Sequence, residues 1–432
     1  MATVINKELL TICSLTNAFP ARSEMAILNQ INGLISHGHQ VTVFAEGRDP
    51  QASQLEKRVC EKIDVRHIPT RQLTRFSRRF FNRCNIAIRG IGQFLKTVLC
   101  APAVAFKSIN VFKRGPYSIS FWLLYQVWPF VKTKEKHAYD IIHAQYGPNG
   151  TKAVLLREIG ALSGKIVTSF RGYDLNRLPQ SHDANIYDRL FQHGDLFTTD
   201  SDAMKKKLIT LGCPEQRIRV IPSSVDLNFW KPIGPSPSTD TIRFILAARL
   251  TPCKGVAFAI RALQKVRELG SDAHLTIAGD GPLGHELRNL VADLGLTAHV
   301  SFTGWVDQSM LKALFEEHHI LLLPSIVSED GDEESQGLVL QEAQAMGLKV
   351  IGSDIGGIRE GLLEGKTGFT CKSADVEDLA SKMQRLIEMK DDWPEMGIAA
   401  RQFVSDHYSL EKQTDNLIKN YRNTLTTHSL AQ

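Results

Sequence analysis

Apolar positions fall into short runs separated by longer stretches of helical periodicity, and this alternation starts twice along the chain. The first series of runs is Leu9–Leu15, Val41–Ala45, Ile63–Ile68, Ile141–Ala144, Ile166–Phe170, Leu196–Thr199 and Arg219–Ile221. Short continuous apolar runs of this kind suit strands buried on both faces of a parallel sheet. After the first run, the turn-rich TNAFPARSEMAI enters a helix at Ser23-Glu24, with Met25, Ile27, Leu28, Ile31, Leu34 and Ile35 at helical spacing. Residues 231–240, KPIGPSPSTD, read as a linker because Pro, Ser and Gly dominate them. The alternation then restarts with Ile242–Ala248, His274–Ala278, Val300–Phe302, Ile320–Leu323, Lys349–Gly352 and Gly368–Cys371, and Asp375 to about Asn423 reads as helix throughout. Strands alternating with helices predict an α/β fold of two doubly wound, Rossmann-like domains, residues 1–230 and 241–405, facing each other across a cleft. Ligands in such sheets sit at the C-terminal ends of the strands.

Residues 71–136 break the pattern. They mix basic side chains with Phe, Trp, Leu and Ile, a composition that suits a surface helix docking on an anionic membrane. Trp122, Trp128 and the phenylalanines fit a lipid interface better than nucleic acid, for which no binding motif is present. The alternative is a helical pair packed on the sheet edge with a solvated basic face. Between Lys57 and Lys136 there are 17 Lys and Arg against 3 Asp and Glu, so a net charge of +5 divides into +14 here and −9 elsewhere.

At 432 residues with 43% hydrophobic content the chain suits two cores. Seven scattered cysteines, without a CxxC or zinc-like spacing, point to a reducing compartment and no structural metal. We find neither a signal-peptide cleavage pattern nor a window of about 20 apolar residues, and expect a cytoplasmic protein, peripheral on the inner membrane face.

The chemistry concentrates at predicted strand ends. In Leu321–Glu360, Glu334 and Glu342 flank a predicted helix start at Gly337, where Ser335, Gln336, Gly337, Leu338 and Val339 lie. A helix N-terminus carries roughly half a positive charge and binds phosphate. An anion cradle between two carboxylates suits a nucleotide diphosphate with hydroxyl-rich groups at both ends. Taken alone, the spacing also describes an N-capped helix with surface acids. Arg249 and Lys254, in AARLTPCKG, follow the first strand of the second domain and are placed to neutralise a diphosphate. Gly279 and Gly281, in GDGPLG, match a dinucleotide fingerprint literally, but they follow the second strand of their domain rather than the first. His143 ends a strand and is read either as a cleft-facing polar group or as a satisfied strand-end histidine. His137, His318 and His319 have no chemical setting.

Together, Arg249…Lys254, GDGP, Glu334-x7-Glu342 and SDIGGIRE resemble the retaining, GT-B-fold glycosyltransferases of family 4. SEDGDEESQGLVLQEAQAMG and TDSDAMKKKLITLGCPEQRIRVIPSSVDL are similar to the branch that builds colanic acid and related exopolysaccharides. The resemblance implies that Glu342 holds the ribose and Glu334 lies near the transferred sugar. It implies backbone contacts to the donor from Ser335 to Val339, a diphosphate held by Arg249 and Lys254, and a base held at Gly304-Trp305-Val306. The donor is then a UDP- or GDP-sugar used without cofactor or metal, and the acceptor a glycan or polyprenyl-linked glycan. The resemblance further implies that residues 406–432 form a helix returning to the first domain. Ser23 and Glu24 occupy the acceptor-side loop where many members have Gly-Gly. Phe170-Arg171-Gly172-Tyr173-Asp174 stands where relatives read FHGYD, placing Arg171 and Asp174 on the acceptor side. Arg171 cannot act as a base but can stabilise charge on the leaving phosphate. The rival readings are a nucleotide-sugar epimerase or hydrolase of the same fold, and a catalytically silent subunit of a polysaccharide assembly complex.

Overall fold

The computed structural model describes residues 9–22, 24–49, 59, 63–68, 80–110, 112, 116–119, 121–133, 135–181, 185–232 and 240–426. Ser23, residues 71–79 of the basic segment and most of the 231–240 linker lie outside them. The first domain contains β1 (Thr11–Ala18), α1 (Met25–Ser36), β2 (Gln40–Gly47), β3 (Asp64–His67), α2 (Phe80–Cys100), α3 (Pro102–Ser108), α4 (Pro116–Ile119), α5 (Trp122–Val131), β4 (Ala138–Gln145), α6 (Gly147–Ile159), β5 (Ser163–Ser169), α7 (Gly172–Ser181), α8 (Asp188–His193), β6 (Leu196–Thr199), α9 (Asp202–Thr210) and β7 (Ile218–Val220). Its seven strands lie in the order β3-β2-β1-β4-β5-β6-β7, and every recorded pairing between them is parallel.

The second domain follows with β8 (Ile242–Ala247), α10 (Val256–Glu268), β9 (Ala273–Ala278), α11 (Gly284–Asp293), β10 (Val300–Gly304), α12 (Gln308–Glu317), β11 (Ile320–Leu323), α13 (Leu338–Ala345), β12 (Lys349–Ser353), β13 (Gly368–Cys371), α14 (Val376–Glu388), α15 (Trp393–His407) and α16 (Leu410–Thr426). Its six-stranded parallel sheet has the order β10-β9-β8-β11-β12-β13. In both sheets the order reverses beside the first strand, between β1 and β4 and between β8 and β11. Loops leaving adjacent strands there diverge to opposite faces and open a crevice. Ile320, Leu321 and Leu322 of β11 are wholly buried, as expected for a central parallel strand covered by helices on both sides.

The terminal helix α16 does not stay with the second domain. Leu417, Ile418 and Tyr421 are buried in one cluster with Ile27, Leu28 and Ile31 of α1. The basic segment is helical in its described part, and its aromatic residues divide. Leu123, Val127 and Phe130 of α5 lie in the core of the first domain, with Trp122 and Trp128 packed against it. This corrects the assignment of these two tryptophans to a lipid interface: α5 is the helix that ties the segment to the sheet. Among the described residues no helix is long and apolar enough to cross a membrane.

Candidate active site

At the switch point of the second sheet, the loop after β8 brings Lys254 against Glu334, and the two side chains form an ion pair. Burial works against the Lys254 ammonium, but the charge and hydrogen bond of Glu334 outweigh it and hold the lysine above its usual pKa. Arg249 stands exposed two residues beyond the end of β8, close enough to Lys254 to repel it. No carboxylate among the described residues pairs with the Arg249 guanidinium. The site therefore offers one neutralised lysine and one unneutralised arginine, an arrangement with net attraction for an anion.

The glycines of GDGPLG have a structural reason. A Cβ on Gly279, which has φ +150, would lie 1.8 Å from the Ala248 carbonyl oxygen, and one on Gly281 would lie 2.6 Å from that of Leu250. Leu250 N–H also donates to the Asp280 carbonyl at 2.9 Å. This turn needs glycine because it packs backbone to backbone against the segment carrying Arg249. Its match to a dinucleotide fingerprint is accounted for without a dinucleotide.

Helix α13 begins at Leu338, after Gly337 in the left-handed region (φ +77), where a Cβ would strike Leu323 at 2.5 Å. Backbone N–H groups at such a start lack helical partners. Glu342, one turn into α13, is 6% exposed, and Gln308 donates to its Oε1 at 3.3 Å. The Trp305-Val306 turn follows β10, and Arg22 of the first domain lies over the Trp305 ring at 4.8 Å.

Ser335 and Gln336 do not present their side chains to a donor. Ser335 Oγ donates to Asp200 Oδ2 at 2.8 Å, and its carbonyl accepts from Ser201 Oγ at 3.0 Å. Gln336 exchanges hydrogen bonds with the Ser223 backbone, accepting from N–H at 2.7 Å and donating to C=O at 3.0 Å. Beside them Glu333 pairs with Lys207, Asp330 with Arg177 at 3.2 Å, and the Glu360 carboxylate accepts from the N–H groups of Asp202 and Ala203 at 2.9 Å each. The acidic loop of residues 329–333 thus joins the two domains.

On the first-domain wall, Arg171 donates to Gln145 Oε1 at 2.9 Å and lies over the Tyr146 ring at 5.7 Å. Burial raises the pKa of Glu24, partly offset by the Arg171 charge and by hydrogen bonds with Tyr146 and Thr16. Glu24 and Arg171 thus share one cluster, centred on Tyr146. Tyr146 has φ +76, a strained conformation for a bulky residue.

Two expectations are corrected by these contacts. His143 is 1% exposed, with Nε2 2.7 Å from Ser169 Oγ and Nδ1 bonded to the Tyr421 hydroxyl. Burial pushes its pKa down to about 3, so it is a neutral, satisfied strand residue rather than a cleft group. Asp174 is wholly buried; its Oδ2 accepts from the Arg171 N–H at 3.3 Å, and burial raises its pKa to about 7. It braces the start of α7 and does not face an acceptor.

Sequence reasoning missed Tyr146, Gln145 and Asp200. Asp200 is 7% exposed, its Oδ1 has no partner, and burial lifts its pKa to about 6. A cavity of about 30 Å³ beside it, lined by Arg171, Gln30, Ser223 and Gln413, has room for a water molecule or two. TDSD and QYGPNG carried signals only as strand-end polar clusters.

Two facing Rossmann-like domains, with an anion-attracting site at the switch point of the second, define a GT-B glycosyltransferase. A model described as Glycosyltransferase Family 4 matches residues 23–229, and one described as Glycosyl transferases group 1 matches residues 230–403. The chain belongs to this glycosyltransferase family. It is 29% identical over 395 residues to the putative colanic acid biosynthesis glycosyltransferase WcaL of Salmonella typhimurium, covering 90% of this chain and 94% of that protein. It is 28% identical over 414 residues to the amylovoran biosynthesis glycosyltransferase AmsK of Erwinia amylovora, covering 91% and 95%. Among solved structures, Anabaena HepE in complex with UDP and glucose superposes with a TM-score of 0.68 at 17% identity, covering 96% of this chain and all of that one.

Proposed function

We propose that the protein transfers a sugar, with retention of configuration, from a nucleotide diphosphate sugar to a growing exopolysaccharide or cell-surface glycan carried on a lipid. The observation carrying this reading is the unneutralised Arg249 beside the Lys254–Glu334 pair, whose Glu334 side chain lies against Gly337 at the start of α13. The likeness to WcaL and AmsK over nearly the full length supports the exopolysaccharide class. HepE, solved with UDP and glucose, supports a uridine nucleotide, with GDP-sugars as the competing donors.

In this mechanism Arg249 and Lys254 take up the charge that develops on the diphosphate as the glycosidic bond breaks. The acceptor hydroxyl attacks the face the diphosphate leaves and passes its proton to the departing phosphate oxygen. The protein has no need of a base, which agrees with Arg171 standing where relatives have histidine. Glu334 orients Lys254 and lies where it can accept from a donor-sugar hydroxyl. Domain closure through Ser335, Gln336 and Glu333 holds both reactants together, the positional part of the rate gain. Metal independence belongs to the same reading, since Arg249 beside the Lys254–Glu334 pair leaves the site a net positive charge for the diphosphate.

Thermal shift with UDP-, GDP-, ADP- and dTDP-sugars on wild type and Glu342→Gln tests the donor. A ligand at 100 times its dissociation constant stabilises by about 2.7 kcal/mol. We expect one nucleotide family to shift the wild type and the variant to lose that shift. NMR of the transferred anomeric carbon, with and without EDTA, then reads stereochemistry and metal need. No shift with any donor would leave the silent-subunit reading in place of this one.

A further inference from the structure

We infer that the outer face of α2 and α3 docks on an anionic lipid surface and carries the first domain there. Among the described residues, six of the fourteen large apolar side chains left exposed lie between Ile91 and Tyr117. Ile91 (53% exposed), Leu95 (57%) and Leu99 (86%) are spaced by four on α2, so they form one stripe. Phe106 (59%) on α3 and Phe112 are also exposed in the stretch that follows. The opposite face of α2 is already occupied: Gly90 and Thr97 are buried, and Gly90 rests against the Phe121 ring. On a helix of 3.6 residues per turn the stripe lies on average about 140° from Gly90. It is therefore not a core face awaiting its own domain.

Charge selects the occupant. No acid occurs between Asp64 and Glu135, while thirteen Lys and Arg do. Arg89, Lys96 and Lys107 are exposed around the stripe itself. An apolar stripe flanked by cations describes a helix lying in the interface of an anionic bilayer. A second copy would bring the same unbalanced positive charge against this one. Anchoring passes through α5, whose Leu123, Val127 and Phe130 sit in the first core, so docking fixes the orientation of the domain that bears Glu24 and Arg171. This inference rests on the proposed function only in taking the lipid-carried glycan as the reason to be there.

The test is flotation of the full chain with vesicles of phosphatidylcholine alone and with added phosphatidylglycerol. We expect wild type to float with the anionic vesicles and to be released by salt. Leu95→Glu with Leu99→Glu should lower partitioning by about tenfold or more for each leucine, since burying one leucine exceeds the free energy of a tenfold step. Lys96→Glu with Lys107→Glu should lower it by at least about fivefold for each cation removed. Thermal shift with the nucleotide confirms in each variant that the fold and donor site are intact. Equal absence of flotation on both vesicle types overturns the inference. So does a wild-type dimer in sedimentation that the leucine variant makes monomeric without any vesicle binding, which assigns the face to a second copy. If flotation stands while no nucleotide binds, only the transferase reading falls.

Discussion

Asp200→Asn should make the protein more resistant to unfolding at pH 8 than at pH 4, relative to wild type. Asp200 is held up to about 6 by burial against an ordinary value of 3.8. The folded state therefore retains the proton in a window where the unfolded chain has released it. Stability associated with this group is full below about pH 4 and declines as pH rises toward 6. A displacement of about two pKa units corresponds to roughly 3 kcal/mol of cost at pH 8. Asparagine keeps an oxygen to accept from Ser335 Oγ and removes the charge. Its buried amide adds a pH-independent cost of roughly 1–3 kcal/mol, which cancels when the two pH values are compared. Thermal unfolding of both proteins from pH 4 to 8 reads the difference, and for a domain of this size it amounts to a change in ΔTm of roughly 6–12 °C. A ΔTm that stays flat across that range would refute the reasoning. It would mean that water in the cavity beside Arg171 solvates the carboxylate as well as bulk water does.

Glu334→Gln removes the partner of a lysine that burial disfavours; we expect kcat to fall by about 10²-fold or more, and an unchanged turnover number argues against any role in transfer. Gly279→Ala places a Cβ 1.8 Å from the Ala248 carbonyl oxygen at φ +150, so it should destabilise by at least about 2 kcal/mol and weaken nucleotide binding through Arg249; calorimetry and donor titration check both. Glu360→Gln weakens the anionic cap on α9 and should cost about 1 kcal/mol, with a larger radius of gyration by small-angle scattering as the domains part more readily.

The strands were legible because each is a short apolar run bounded by turn residues, and all thirteen fall within a few residues of their predicted positions. Two parallel sheets follow from local pattern alone, as does the placing of Arg249, Lys254, Glu334 and Glu342 around strand ends of one sheet, since βαβ connections return every such loop to the same edge. The roles of polar side chains were not local. His143 and Asp174 are silent on burial in a sequence, and only α16 packing its Tyr421 onto His143 removed that histidine from the cleft. Ser335 and Gln336 carried in sequence only an expectation of backbone contacts to the donor; that their side chains, and Glu333, are held by Asp200, Ser223 and Lys207 from more than a hundred positions away is a fact of the folded chain. Trp122 and Trp128 likewise carry the same amphipathic signal as Leu95 and Leu99. Periodicity decides which residues share a face, but whether that face meets a core, another domain or the outside depends on contacts that only the folded chain makes.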